Sequence, residues 1–100
     1  MVTFRVMMEG RPLFLFDEGK QEVERLGFFT TRWVRAETPE AAGQAACNVV
    51  RDELAVTGDR NPPDQPLKVT VSEVTKASWV EGARHWDGGR GFTFFPDDSN

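Results

Sequence analysis

A chain of 100 residues, 39% hydrophobic and 28% charged, has the size and make-up of one globular domain able to bury roughly two-thirds of its unfolded surface, and its 9 Gly and 6 Pro exclude a fibrous or low-complexity chain. The formal net charge of −4 opposes general affinity for duplex nucleic acid or anionic lipid, although a local basic patch stays open. One cysteine cannot form an intramolecular disulfide, the start MVTFRVMMEG alternates instead of reading as a signal peptide, and no run approaches the roughly 18 apolar residues of a membrane helix, so the expected setting is cytoplasmic.

Val2, Phe4, Val6 and Met8 alternate with Thr3, Arg5 and Met7, the period of a strand. Glu9-Gly10-Arg11-Pro12 carries turn residues. Leu13 to Phe16 is a short apolar run suited to a hairpin partner or an edge cover, and the charged stretch Asp17 to Arg25 reads as a solvated connection. From Phe28 to Glu37 a β-rich run leads into a helix at Thr38-Pro39-Glu40. There Thr38 caps free N–H groups, Pro39 suits the first helical position and Glu40 favours the positive end of the dipole. Ala42, Ala45, Ala46, Val49, Val50 and Leu54 form its apolar stripe, Gln44, Arg51 and Asp52 lie off it, and Gly58 closes it. The small alanines imply that the first turns lie close to a sheet.

Residues 58–66, polar and proline-rich, predict an exposed, mobile loop within a single domain spanning 1–100. Leu67 to Thr75 alternates as another strand. The remainder reads as loop, then a glycine-rich turn from Asp87 to Gly91, a short strand from Phe92 to Phe95 and a frayed acidic tail. Strand, helix, strand in that order requires a crossover that leaves the two strands parallel. With the first strand between them and antiparallel to both, and the last strand at an edge, the predicted fold is α+β: a split β-α-β arrangement in a mostly antiparallel sheet of about four strands, with one main helix on one face.

The run from Gly27 to Ala46, an aromatic strand with Thr-Arg followed by a Pro-Glu-initiated, alanine-rich helix, resembles a pattern in small uncharacterised bacterial proteins. The resemblance covers about a fifth of the chain and implies no activity.

Candidate chemistry is sparse. His85 stands in Arg84-His85-Trp86-Asp87, the pairing of imidazole and carboxylate that acid–base work uses, but no nucleophile or second base accompanies them and packing or surface roles account for the histidine. Cys47, mid-helix, behaves as a small hydrophobe. One Cys and one His supply no zinc site, and neither metal nor cofactor is expected. The Asp87 to Gly91 cluster offers backbone N–H groups to an anion, yet it precedes a strand and matches no phosphate-binding motif, so a tight turn accounts for it.

The strongest constellation lies on the strand from Phe28 to Glu37, where Val34 and Ala36 face the helix and Phe29, Thr31, Trp33 and Arg35 face away. With Met7 on the neighbouring strand, that second face is too apolar to stay in water. Three covers are conceivable: the aromatic tail with Trp79, Trp86, Phe92, Phe94 and Phe95, a second copy, or a ligand. Aromatics beside Arg5, Arg35 and Lys68 also suit single strands of nucleic acid, against which stand the acidic total and the lack of an RNA-binding motif. The expected function is a binding or assembly module acting through protein contacts, as a homodimer or with a partner protein. Its expected interface carries Phe29, Trp33 and Met7. The alternative is a small-ligand or nucleotide site using Trp33, Arg84, His85 and Arg90; an enzyme is not expected.

Overall fold

The computed structural model describes residues 1–57, 60–89 and 91–97. Two long strands, β1 (Val2–Asp17) and β2 (Glu22–Ala36), form a hairpin, followed by helix α1 (Pro39–Thr57), strand β3 (Lys68–Lys76), the short helix α2 (Trp79–Arg84) and strand β4 (Thr93–Pro96). The sheet order is β3-β1-β2-β4 with every neighbouring pair antiparallel. Strands β2 and β3 are therefore parallel across β1, and α1 connects them: the split β-α-β arrangement expected from the sequence, with β4 at the edge. No helix among the described residues is long and apolar enough to cross a membrane.

The core lies between α1 and one sheet face. Phe4, Val6 and Met8 from β1, Phe28 and Ala36 from β2, and Ala42, Ala46, Val50 and Leu54 from α1 are all buried there. Burying a Val or Leu side chain fully is worth about 1.5–3 kcal/mol, so this layer supplies most of the fold's apolar stabilisation. The cap at Thr38 forms as expected: its Oγ1 accepts from the Ala41 N–H at 3.1 Å, and its carbonyl accepts from the Ala42 N–H at 3.0 Å. Val49, assigned to the stripe from its spacing, is instead 46% exposed. The buried line runs at strict four-residue intervals from Ala42 to Leu54, and Val49 falls on its flank. The expected stop at Gly58 and residues 98–100 of the tail lie outside the described residues, but Asp97, the first acidic residue expected to fray, is instead 8% exposed, held where its Oδ2 accepts from Arg25 Nε at 3.2 Å and its N–H donates to the Arg25 carbonyl.

Three further expectations are corrected. Glu9 to Pro12 makes no turn; β1 runs through it with a bulge, since Gly10 pairs with Phe28 and Leu13 with Leu26. Proline is tolerated at a bulge because no ladder donor is needed there, and Gly10 is bare because the Phe28 ring occupies the space its side chain would need. The stretch from Asp17 to Arg25 is a tight turn followed by the start of β2. Asp17 Oδ1 accepts from the N–H groups of Gly19 and Lys20, and the charged pairs beyond belong to a ribbon that projects past the other strands. The segment before the glycine turn contains α2, whose first turn is capped by Ser78 Oγ accepting from the Glu81 N–H.

Ahead of β3, residues 60–67 already run along β1. Phe14 O accepts from the Arg60 N–H, Asn61 Oδ1 accepts from the Phe14 N–H at 3.0 Å, and Asn61 Nδ2 donates to the Pro12 carbonyl at 2.7 Å. A second bulge interrupts the other side of β1, where Met7 faces Glu73 and Met8 faces Val71, leaving Ser72 unpaired.

Candidate functional site

Alternation on β2 puts Trp33 on the face away from α1, and the chain after β3 closes over it. Its indole stacks on the His85 ring with centroids 3.6 Å apart and planes 9° from parallel. Its Nε1 donates to Glu81 Oε2 at 2.7 Å, and Arg5, directly across the sheet from Trp33, pairs with that same carboxylate oxygen at 3.5 Å. The Trp33 backbone N–H donates to the Gly88 carbonyl at 2.8 Å, extending the sheet edge by one bond. Gly89 presses on the ring from the same side: a β-carbon there would lie 2.7 Å from it, and its φ of 81° also favours glycine. Trp33 is thus fixed by its own C-terminal segment, the intramolecular alternative among the three covers.

Two depressions share the Trp33–His85 stack as a wall. One, of about 470 Å³, lies along the β2 edge beside Phe29, Thr31, Gly89 and Phe92. The other, a groove of about 350 Å³, is bounded by Met1, Thr3, Arg35, Trp79, Gly82 and Trp86. Trp79 and Trp86 stand out here, being 84% and 86% exposed. Neither belongs to the core cluster, and the lid expected from the tail aromatics is made by Glu81, His85 and the glycines instead.

The tail's phenylalanines serve the sheet differently. Phe92 meets Phe28 edge to face at 5.1 Å on the α1 side, and Phe95 lies against Phe29 at 4.9 Å while filling the space above Gly27. On that side too sits Arg32, 3% exposed. Its Nε donates to Thr30 Oγ1 at 3.1 Å, its Nη1 pairs with Glu53 of α1, and its guanidinium lies 5.1 Å from the Phe92 ring centre. Nη2 is buried with no hydrogen-bond partner among the described residues.

Of the four residues expected to bind a ligand, the structure brings Trp33 and His85 together and leaves Arg84 exposed on α2, while Arg90 lies outside the described residues. The N–H groups of the glycine turn serve its own geometry: Gly88 N–H donates to the His85 carbonyl and Gly89 N–H to Asp87 Oδ1. Met7 and Phe29 remain 39% and 50% exposed on the face away from α1, as the interface expectation requires of them. Trp33, already covered, differs from them. Cys47 is partly buried with its Sγ 3.9 Å from Met8 Sδ, and burial pushes the thiol pKa up against a smaller opposing pull from Arg51. Among the described residues no three His, Cys, Asp or Glu side chains gather where a metal ion would be held.

Sequence reasoning missed Glu81 as the anchor of Trp33 and missed the groove between Trp79 and Trp86. Ser78 three residues before Glu81 is a helix-start signal, and a helix there places Trp79 at its start and Trp86 just beyond its end. No protein-family model, curated protein or solved structure matches the chain.

Proposed function

We propose that the chain is a binding or assembly module that acts through protein contacts, and that its partner across the sheet face opposite α1 is a second copy. The observation that carries this reading is the pair Met7 and Phe29, large apolar side chains left exposed at the middle of a broad face that α2 covers only at one end. Phe16 and Val23, paired across the projecting ribbon and exposed, lie on the same side by strand alternation. Around them the face carries both signs, Glu9 and Glu73 beside Arg11 and Lys68. A two-fold contact sets a surface against itself, and interleaved charges of both signs make such a surface self-complementary where a single-sign field would repel. A cytoplasmic setting fits the same reading, since a lone half-buried thiol asks for no oxidising compartment.

Light scattering with Phe29→Lys as the comparison tests it. Phe29 lies opposite Glu9, so a lysine there is compatible with the monomer while placing charge in the contact. The wild type is expected at twice the chain mass and the variant as folded monomer, with a melting temperature lowered by the loss of the contact and of the packing on Phe95. A wild type that stays monomeric at high concentration overturns the proposal.

A further inference from the structure

We propose that the groove between Trp79, Trp86 and Arg35 binds a planar aromatic anion of the size of a nucleoside monophosphate. This site stands apart from the sheet-face contact and does not depend on it. Two indoles almost wholly in water, one opening the short helix α2 and one in the turn just after it, and both lining one groove, are groups that folding has left without the burial their area offers. Their π faces suit a stacked ring.

Arg35 supplies the second half of the recognition. It is exposed, lines the groove and makes no ion pair among the described residues, whereas Arg5, Arg11, Arg25 and Arg32 are each matched to a carboxylate. In a chain of net charge −4 an unmatched guanidinium beside stacking surfaces is a local anion site, and its planar fork fits a phosphate with two parallel hydrogen bonds. The adjoining cleft has no lysine or arginine in its described lining. The groove's roughly 350 Å³ falls at the small end of ligand sites, enough for one base, sugar and phosphate.

The floor is fixed before any ligand arrives. Trp33 is tied to Glu81 and stacked on His85, and Gly82 brings α2 against Thr3, where an added β-carbon would lie 3.4 Å from the hydroxyl oxygen. A preformed site loses little freedom on binding.

Tryptophan emission, excited at the red edge where bases absorb little, reads the stacking directly. Adenosine monophosphate and guanosine monophosphate are expected to quench it saturably, adenosine to bind about tenfold more weakly, and inorganic phosphate to leave emission unchanged. Trp86→Ala should weaken the nucleotide about tenfold, and Arg35→Gln should bring nucleotide and nucleoside to equal affinity. Both positions are exposed, and unchanged melting curves verify that the variants fold. A short single-stranded oligonucleotide should bind no more than about tenfold tighter than the mononucleotide; a much larger gain overturns the assignment to a one-nucleotide ligand. Absence of saturable quenching at millimolar nucleotide, or unchanged affinity in both variants, overturns the site itself.

Discussion

Gly10 lies directly opposite Phe28, and the phenylalanine ring covers the place where a side chain at position 10 would stand. This pair explains a glycine inside a sixteen-residue strand: the ring crosses to the neighbouring strand and fills the gap, which removes the usual weakness of a strand glycine. Gly10→Val is expected to destabilise the fold by about 1–3 kcal/mol through overpacking, and Phe28→Ala by about 3–5 kcal/mol. Because the two share one space, chemical denaturation of Gly10→Val combined with Phe28→Ala should show a loss smaller than the sum of the single losses. Additivity would mean that the ring and position 10 do not compete.

Arg32 and Glu53 give an asymmetric prediction. The guanidinium is buried and the carboxylate is partly in water. Glu53→Ala leaves a buried charge with one more orphaned donor and should cost about 2–4 kcal/mol; Arg32→Leu removes the buried charge and leaves a carboxylate that water reaches, so it should cost less. Urea denaturation of the two variants checks the order, and equal losses would place the guanidinium in contact with solvent.

On α1 the contrast lies between Ala46 and its neighbours. Ala46 is fully buried against the sheet, so Ala46→Leu should lose about 1–3 kcal/mol, while Gln44→Ala and Val49→Ala should each stay within about 0.5 kcal/mol. A large loss at Val49 would restore it to the buried stripe.

Strand alternation at Val2 to Met8 and Leu67 to Thr75, together with the helix start at Thr38-Pro39-Glu40, was enough to give the split β-α-β arrangement, because a crossover helix makes the strands it joins parallel and leaves the place between them to the first strand. What stayed hidden depended on partners distant in the chain. Gly10 and Pro12 have turn chemistry, and only the ring of Phe28 and the extra residue at the bulge make them strand residues. Glu22 to Arg25 showed no apolar period because the ribbon there projects beyond the layer that α1 covers. The apolar parity of Trp33 was legible, but its cover was not: stacking on His85 and the bond to Glu81 join segments whose proximity no local pattern encodes.

Cys47 carries the pH prediction. Burial raises the thiol pKa in the folded chain, so between the unfolded and folded values the native state holds the proton more firmly. The associated stability is present below the unfolded thiol pKa and is lost as pH rises through the folded one. Iodoacetamide at mildly alkaline pH should therefore modify Cys47 more slowly in the native protein than in urea, and the ratio should narrow at higher pH. Equal rates would place the thiol in solvent.

The bulge at Ser72 bears on the outer edge of the sheet. An unpaired strand edge is a template for another chain, yet β3 presents its free edge interrupted at Ser72 and flanked by Lys68 and Lys76, and β4 at the opposite side is four residues long and ends in Pro96. Neither β3 nor β4 can accept a long incoming strand in register. Along those two strands a continuous ribbon, the route to fibrils, finds only short or interrupted stretches on which to grow.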